Sequence, residues 1–375
     1  MNEQKEYELG QLLAYEQPTP YIVESTKYSD EYTTPVLTAG KTFILGYTNE
    51  DFGIYDALPV IIFDDFTTAS RFVNFKFKVK SSAMKILTPN TELVDPKYIY
   101  YRMQVIEYDH STHKRYWISQ YSKIKLSIPS LPEQRRIVAH IEEQLSQLDN
   151  GVETLEKTKL QLDVYRQSVL KEAFSTCVEK RPIRELTSIV TSGSRGWAAY
   201  YSDFGAKFVR IGNLTRDRIH IDFSNTQHVL LPGNAEGKRT ALHSNDVLVS
   251  ITADLGSIGL VPANIGEAYV NQHIAMVRFL NPSQGKMMAW YLRSEYGQKD
   301  LLKNKRGGGK LGLGLDDIRD TVVPIVSDNT ARSIVDAIES RISVCDSIEK
   351  TVANALDQAD ALRRSLLKKA FEESI

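Results

Sequence analysis

IVAHIEEQLSQLDNGVETLEKTKLQLDVYRQSVLKEAF, residues 137–174, and IVDAIESRISVCDSIEKTVANALDQADALRRSLLKKAF, residues 334–371, align without a gap at a constant offset of 197. Fifteen of the 38 positions are identical, among them Ile141/Ile338, Glu142/Glu339, Asp149/Asp346, Arg166/Arg363, Lys171/Lys368 and Phe174/Phe371. Solenoid repeats recur every ~20–50 residues, so this longer period marks two copies of a large unit. Each copy is a globular segment followed by a long helix. Two such modules in one chain can present a pseudo-twofold surface, a symmetry that duplex DNA shares.

Within each copy the apolar positions step by 3, 4 or 7, the spacing of a heptad seam. The first seam runs through Ile137, Ile141, Leu145, Leu148, Val152, Leu155, Leu162 and Val169. The second runs through Ile334, Ile338, Ile342, Cys345, Val352, Leu356, Ala359 and Leu366. A lone amphipathic helix of this length must bury its stripe, and the simplest partner for each helix is the other. Because a whole globular segment intervenes, an antiparallel two-helix coiled coil is the compact expectation. The alternative is that each helix packs on its own globular segment. Ser130-Leu-Pro-Glu133 reads as a capping box, and Lys159 and Glu349, which interrupt the seams, are expected to meet near mid-coil.

Working outward, the repeat divides the chain into residues 1–132, a helix 133–176, residues 177–326 and a second helix 327–375. The fold class expected is α+β: two mixed α/β heads separated by the coiled coil, as a pseudo-twofold internal repeat. Leu58–Asp64 and Asn74–Lys80 read as strands of the first head, with Asp246–Ile251 and Ile274–Leu280 as their counterparts. A helical stretch follows in each, 96–106 and 285–296, then a polar loop. The heads diverge far more than the helices, which suggests that they differ in what they bind.

A net charge of −1 excludes a uniformly basic coat, so any nucleic-acid contact must come from local patches. The opening MNEQKEYELG lacks a secretory pattern and no 18-residue apolar run exists, so a cytoplasmic protein without membrane contact is expected. Cys177 and Cys345 have no metal or redox spacing. A methyltransferase N/D-P-P-Y/F tetrapeptide, a P-loop and a G-x-S-x-G elbow are all missing. His110 and His113 have no further ligand at metal spacing. The expectation is a non-catalytic chain with no metal and no bound cofactor.

Basic and aromatic residues do cluster in loops at matching places. Lys114, Arg115, Tyr116 and Trp117 lie near the end of the first head, and Lys303, Lys305, Arg306 and Lys310 near the end of the second. Arg195, Asn213 and Arg216 lie in further polar loops. Such residues can reach phosphates and base edges, while a merely solvated loop is the bland reading of each. An adaptor with two protein-binding heads on a coiled-coil spacer, or an unrecognised nuclease site in one head, are the competing functional classes.

Ile128-Pro-Ser-Leu-Pro-Glu-Gln-Arg-Arg-Ile-Val138 resembles the P-L-x-E-Q-x-x-I-V entry to the first conserved helix of type I restriction–modification specificity subunits. Tyr165–Phe174 and Leu362–Phe371 resemble the exits of that family's two helices, and 35–47 with 58–64 resemble one of its target-recognition domains. Ser327–Arg332 departs from the pattern, replacing the Glu-Gln entry and adding two residues. The resemblance implies a DNA reader whose two target-recognition domains each bind half of a split double-stranded sequence. It implies as partners two modification (methyltransferase) subunits and the restriction (translocase/endonuclease) subunits. S-adenosylmethionine, ATP and Mg belong on those partners and none on this chain.

Overall fold

The computed structural model describes residues 5–40, 42–106, 116–231, 235–303, 305 and 311–372. Two compact units emerge: one comprises Met1–Leu155 with Asn354–Ile375, the other Glu156–Ala353. Two helices, Leu131–Phe174 and Asp328–Glu372, each contribute one half to each unit.

In the first unit the strands are β1 Lys5–Glu8, β2 Leu13–Glu16, β3 Thr34–Leu37, β4 Ile44–Thr48, β5 Val60–Asp64, β6 Ser70–Val73, β7 Lys78–Val79, β8 Met84–Pro89 and β9 Lys125–Ile128. They form a sheet of order β2-β8-β5-β6, a second of order β4-β3-β7 with β3 and β7 parallel, and the pair β1-β9. In the second unit the strands are β10 Lys180–Pro182, β11 Thr187–Ser192, β12 Tyr201–Ser202, β13 Ala206–Val209, β14 Gln227–Val229, β15 Val247–Ser250, β16 Ile258–Leu260, β17 Ala268–Val270, β18 Ile274–Phe279 and β19 Val322–Pro324. Their sheets run β11-β18-β15-β16 and β12-β14-β13-β17, with β13 and β17 parallel, plus the pair β10-β19. Strand for strand this is the same topology, with β12 added at one edge.

The central strands read as continuous apolar runs because both of their faces are covered. Ile61 and Phe63 of β5 enter one cluster while Val60 and Ile62 enter another. In the second unit Val247 and Val249 of β15 face one core and Leu248 the other. The strand equivalences correct the sequence reading at one place. Ile274–Phe279 is the counterpart of β8, and the short β7 within 74–80 corresponds to β17. Lys78 of β7 is wholly buried, and Glu50 at 2.9 Å and the Phe52 carbonyl at 2.7 Å satisfy its ammonium. The helix expected over 285–296 ends at Arg293, where Ser294 turns extended and caps a new helix, Glu295–Leu301.

Both expectations for the long helices hold in part. Ile137, Val138, Ile141 and Leu145 at the start of the first long helix share a core with its head and with Leu367 and Phe371 from the end of the second. In the other unit Val169, Leu170 and Phe174 share a core with Ala331, Val335, Ile338 and Ile342. Each unit therefore holds an antiparallel helix pair whose end is packed on a head. Of the seam positions, Ile141, Leu162, Ile338, Cys345 and Val352 are buried, and Leu148, Leu155 and Leu366 half-buried.

Polar contacts set the register, and the repeat repeats them. Arg363 pairs with Asp149 in the first unit. The equivalent Arg166 pairs in the second with Asp346 at 2.8 Å and with Glu349 at 2.7 Å. Burial works to lower the Arg166 pKa, but the bonds to Glu349 and Asp346 prevail and hold it above the ordinary value. Glu349 thus meets Arg166 and not Lys159, about two turns away along the helix. Lys97 reaches Glu142, and Lys286 reaches the equivalent Glu339, so each head helix is tied to its long helix by the same ion pair.

The helix entries differ as the sequence suggests. Gln134 is fully buried; it accepts from the Asp95 amide at 2.7 Å and donates to the Pro129 and Leu93 carbonyls. Glu133 forks onto Arg136. At the second entry Ser327 accepts from the Thr330 amide, and Asp328 accepts from Asn281 and Gln284, which ties the helix to its head by another route.

Candidate nucleic-acid interface

Each head places its polar loops at one end of its four-stranded sheet. In the first unit this end carries the β5–β6 turn, where Asp64 accepts from the Phe66 and Thr67 amides and leaves Phe66 half-exposed. Lys114 and Arg115 lie outside the described residues. The chain resumes at Tyr116, whose amide bonds the Asp65 carbonyl at 3.0 Å beside this turn.

The second unit repeats the arrangement. Arg306 and Lys310 lie outside the described residues; the chain returns at Leu311, and the Leu313 amide bonds the Ile251 carbonyl at 3.0 Å where the β15–β16 turn begins. In both heads, then, a described residue that follows a basic cluster in sequence, Tyr116 or Leu313, bonds the same hairpin. Lys303 and Lys305 are exposed, and Lys303 is paired with Asp300.

Three sequence candidates are structural instead. Tyr116 and Trp117 are 1% exposed, and the indole packs edge-on against Phe63 at 5.4 Å. Their rings anchor the base of the loop and offer no surface to a ligand. Asn213 is buried; its amide donates to the Asp222 and Asn225 carbonyls and its oxygen accepts from the Arg210 amide. It closes its loop from within. Arg216 is exposed, but its fork is closed on Asp254, whose carboxyl it holds below the ordinary value of 3.8. Arg195 is exposed in the 193–196 turn.

Residues that sequence reasoning missed surround that turn. The exposed Arg239 donates to Thr191 at 2.7 Å, to the Ser192 carbonyl and to Ser194, all neutral acceptors. Gln272 and His273, in the β17–β18 turn, bond one another, and His273 bonds Thr252 at 2.8 Å. The acceptors around Arg239 carry no negative charge, while Gln, His and Thr supply the donors and acceptors needed at base edges. The signal lay in the register: Ser192 pairs with Ala275, and Ser250 with Ile274, so three separate loops emerge at one sheet end. Among the described residues no cluster could hold a metal ion, and no helix is long and apolar enough to cross a membrane.

Known proteins are similar to this duplicated head on a paired long helix. Residues 199–358 match the type I restriction modification DNA specificity domain. The type I restriction enzyme EcoR124I/EcoR124II specificity subunit of Escherichia coli is 48% identical over 176 residues, 43% of this chain and 43% of that protein. The EcoBI specificity subunit of the same organism is 26% identical over 277 residues, 66% of this chain and 57% of that protein. The chain thus spans under two thirds of the length of these relatives. A solved chain from a structure concerned with assembly and conformational transition of the type I restriction–modification system has the same fold. Its TM-score is 0.70 at 16% identity, covering 98% of this chain and 97% of that one. Over residues 199–358 the chain is thus similar to the type I restriction modification DNA specificity domain, and it shares the fold of that solved chain.

Proposed function

We propose that the chain reads a bipartite double-stranded DNA sequence and directs the methyltransferase and restriction subunits of a type I complex to it, without being a catalyst itself. Residues 1–132 and 177–326 are the two target-recognition domains, each reading one half-sequence, and 133–176 with 327–375 are the spacer helices. The observation that carries this reading is that, in two heads of one topology, a residue that follows a basic stretch of sequence bonds the same hairpin. Phosphate contacts come from Lys114, Arg115, Lys303, Lys305, Arg306 and Lys310 together with Arg195 and Arg239; Gln272, His273 and Thr252 are placed for base edges.

Partner docking is supported by apolar residues that the helix pairing leaves uncovered. Leu160 and Val164 lie four apart on the first long helix, 68% and 72% exposed, and Val344 and Ile348 four apart on the second. At that spacing each pair forms a stripe along its helix. Two modification subunits take these stripes, bringing S-adenosylmethionine, and the restriction subunits bring ATP and Mg.

Co-expression with the modification subunit, followed by mapping of methylated adenines, tests the proposal. A split motif is expected, together with DNA binding whose affinity falls steeply with salt. Methylation by the purified chain alone, or binding to no duplex at low salt, overturns it.

A further inference from the structure

In the second unit a cavity of about 410 Å3 opens between the head helix Gly285–Arg293, the loop at Arg216 and Asp217, and the paired long helices. Leu170, Trp290 and Ile342 supply its apolar wall, and Arg166, Arg216 and Arg293 its charge. Two of these have hydrogen-bonding capacity that no atom of the described residues uses. The Trp290 indole N–H is buried in a side chain only 2% exposed and has no acceptor among the described residues; the same holds for the buried Nε of Arg293. A buried donor left unmatched costs about 1–3 kcal/mol, so a fold keeps one where something else uses it.

The charges around the cavity sharpen the point. Arg166 is spent on Asp346 and Glu349, and Arg216 on Asp254. The two carboxylates of the wall are themselves paired, Asp163 with Arg166 and Asp217 with Arg218. Arg293 is the guanidinium left over, and burial pulls its pKa below the ordinary 12.5.

Packing of the head helix does not require these two side chains. In the first unit the equivalent ion pair, Lys97 with Glu142, aligns Tyr101 with Trp290 and Gln104 with Arg293. Gln104 satisfies itself on Ser70 at 2.7 Å. The same helix-on-helix contact is therefore made once without a buried indole donor or guanidinium, and the pair is peculiar to the second unit.

We infer that this cavity is a binding site for a small organic oxyanion, a carboxylate or a phosphate monoester, held by the Arg293 guanidinium and the Trp290 N–H over an apolar floor. Its volume falls within the roughly 300–1,000 Å3 usual for small-molecule sites. A guanidinium without an acid partner among the described residues and an unmatched indole N–H, both on residues that line one space, suit an oxyanion, since charge-assisted bonds to carboxylate or phosphate are the strong ones. The inference does not rest on the DNA-reading proposal, and its test involves no DNA.

The full chain is titrated with sodium phosphate and, separately, with sodium succinate at constant ionic strength, with sodium chloride as the control. Tryptophan fluorescence and calorimetry follow binding. A saturable signal is expected with phosphate, with succinate or with both, and which of them saturates identifies the headgroup. Arg293→Met should weaken it at least tenfold, while Arg319→Met, at a residue that does not line this cavity, should leave it unchanged. Trp290→Phe should abolish the fluorescence response and weaken binding by calorimetry. Should Arg293→Met fail to fold, Arg293→Lys, which keeps the charge and loses the fork, should weaken binding several-fold. Responses to both anions no different from chloride, or equal binding by the folded Arg293 variant and the parent, would overturn the assignment.

Discussion

Single buried polar side chains do much of the local fixing in this molecule. Gln134 joins three backbone groups of the first head to the first turn of a long helix, and no water-exposed route replaces those bonds. Gln134→Ala should lower the stability of the first unit by about 1–3 kcal/mol, read from its denaturation midpoint; a change under a few tenths would show that the entry relaxes freely. The Glu50–Lys78 pair gives a pH signature. Burial opposes the Glu50 charge, yet the Ser25 and Glu24 amides and Lys78 hold its carboxyl below the ordinary 4.5. A depressed carboxyl stabilises the fold fully above its unfolded value, and that contribution is lost as pH falls through the lowered folded value. Lys78→Met leaves the carboxyl buried with fewer partners, so the acid unfolding of the first unit should begin at higher pH; an unshifted transition would refute the account. This scale was the least legible in the sequence. Trp117 follows His113-Lys-Arg115 and reads as loop, yet Phe63, 54 residues earlier, provides its burial. Asn213 looks like a ligand-reaching amide until its carbonyl partners are folded around it. Both misreadings arise because partners distant in sequence decide exposure.

At the scale of elements the sequence is far more explicit. A seam is a local pattern, and every seam position expected from spacing is buried or half-buried in the helix pairs. The register was not legible from the repeat centres, which placed Lys159 opposite Glu349; the identical residues of the repeat carry it instead. Asp149/Asp346 and Arg166/Arg363 are conserved between the copies because each helix supplies an acid for the other's arginine. The two contacts are equivalent in sequence and unequal in environment. Arg166 is 6% exposed among three carboxylates, Asp163, Asp346 and Glu349, while Arg363 is 38% exposed with one. Arg166→Ala leaves two partly buried carboxylates with only Arg218, at 4.0 and 3.6 Å, and should cost about 2–3 kcal/mol, less than the ~3–5 typical of a wholly buried pair. Arg363→Ala should cost under ~1 kcal/mol. Hydrogen exchange of the seam amides in each unit measures both, and equal losses would contradict the role of burial.

For the whole molecule, the proposed function makes the long helices a measure of distance along DNA. Each helix passes without interruption from one unit to the other, at Leu155–Glu156 and at Ala353–Asn354. Seven residues inserted at both points keep the seam in phase, because the apolar pattern repeats every seven. They leave every hydrogen bond and ion pair within each unit between the same residues, and lengthen each helix by roughly 10 Å. At about 3.4 Å per base pair, the gap between the two half-sequences should grow by about 3 bp while each half-sequence stays the same. Half-sequences read on the same side of the duplex lie about one helical turn, near 10 bp, apart. The longer gap therefore also rotates one half-site by roughly a third of a turn, and some loss of affinity should accompany the new motif. Mapping methylated adenines in cells that carry the lengthened chain and the modification subunit measures the gap directly. An active variant that still methylates the original motif would mean that the spacing is set within the heads or by the partner subunits, and that the helices serve only to hold the assembly together.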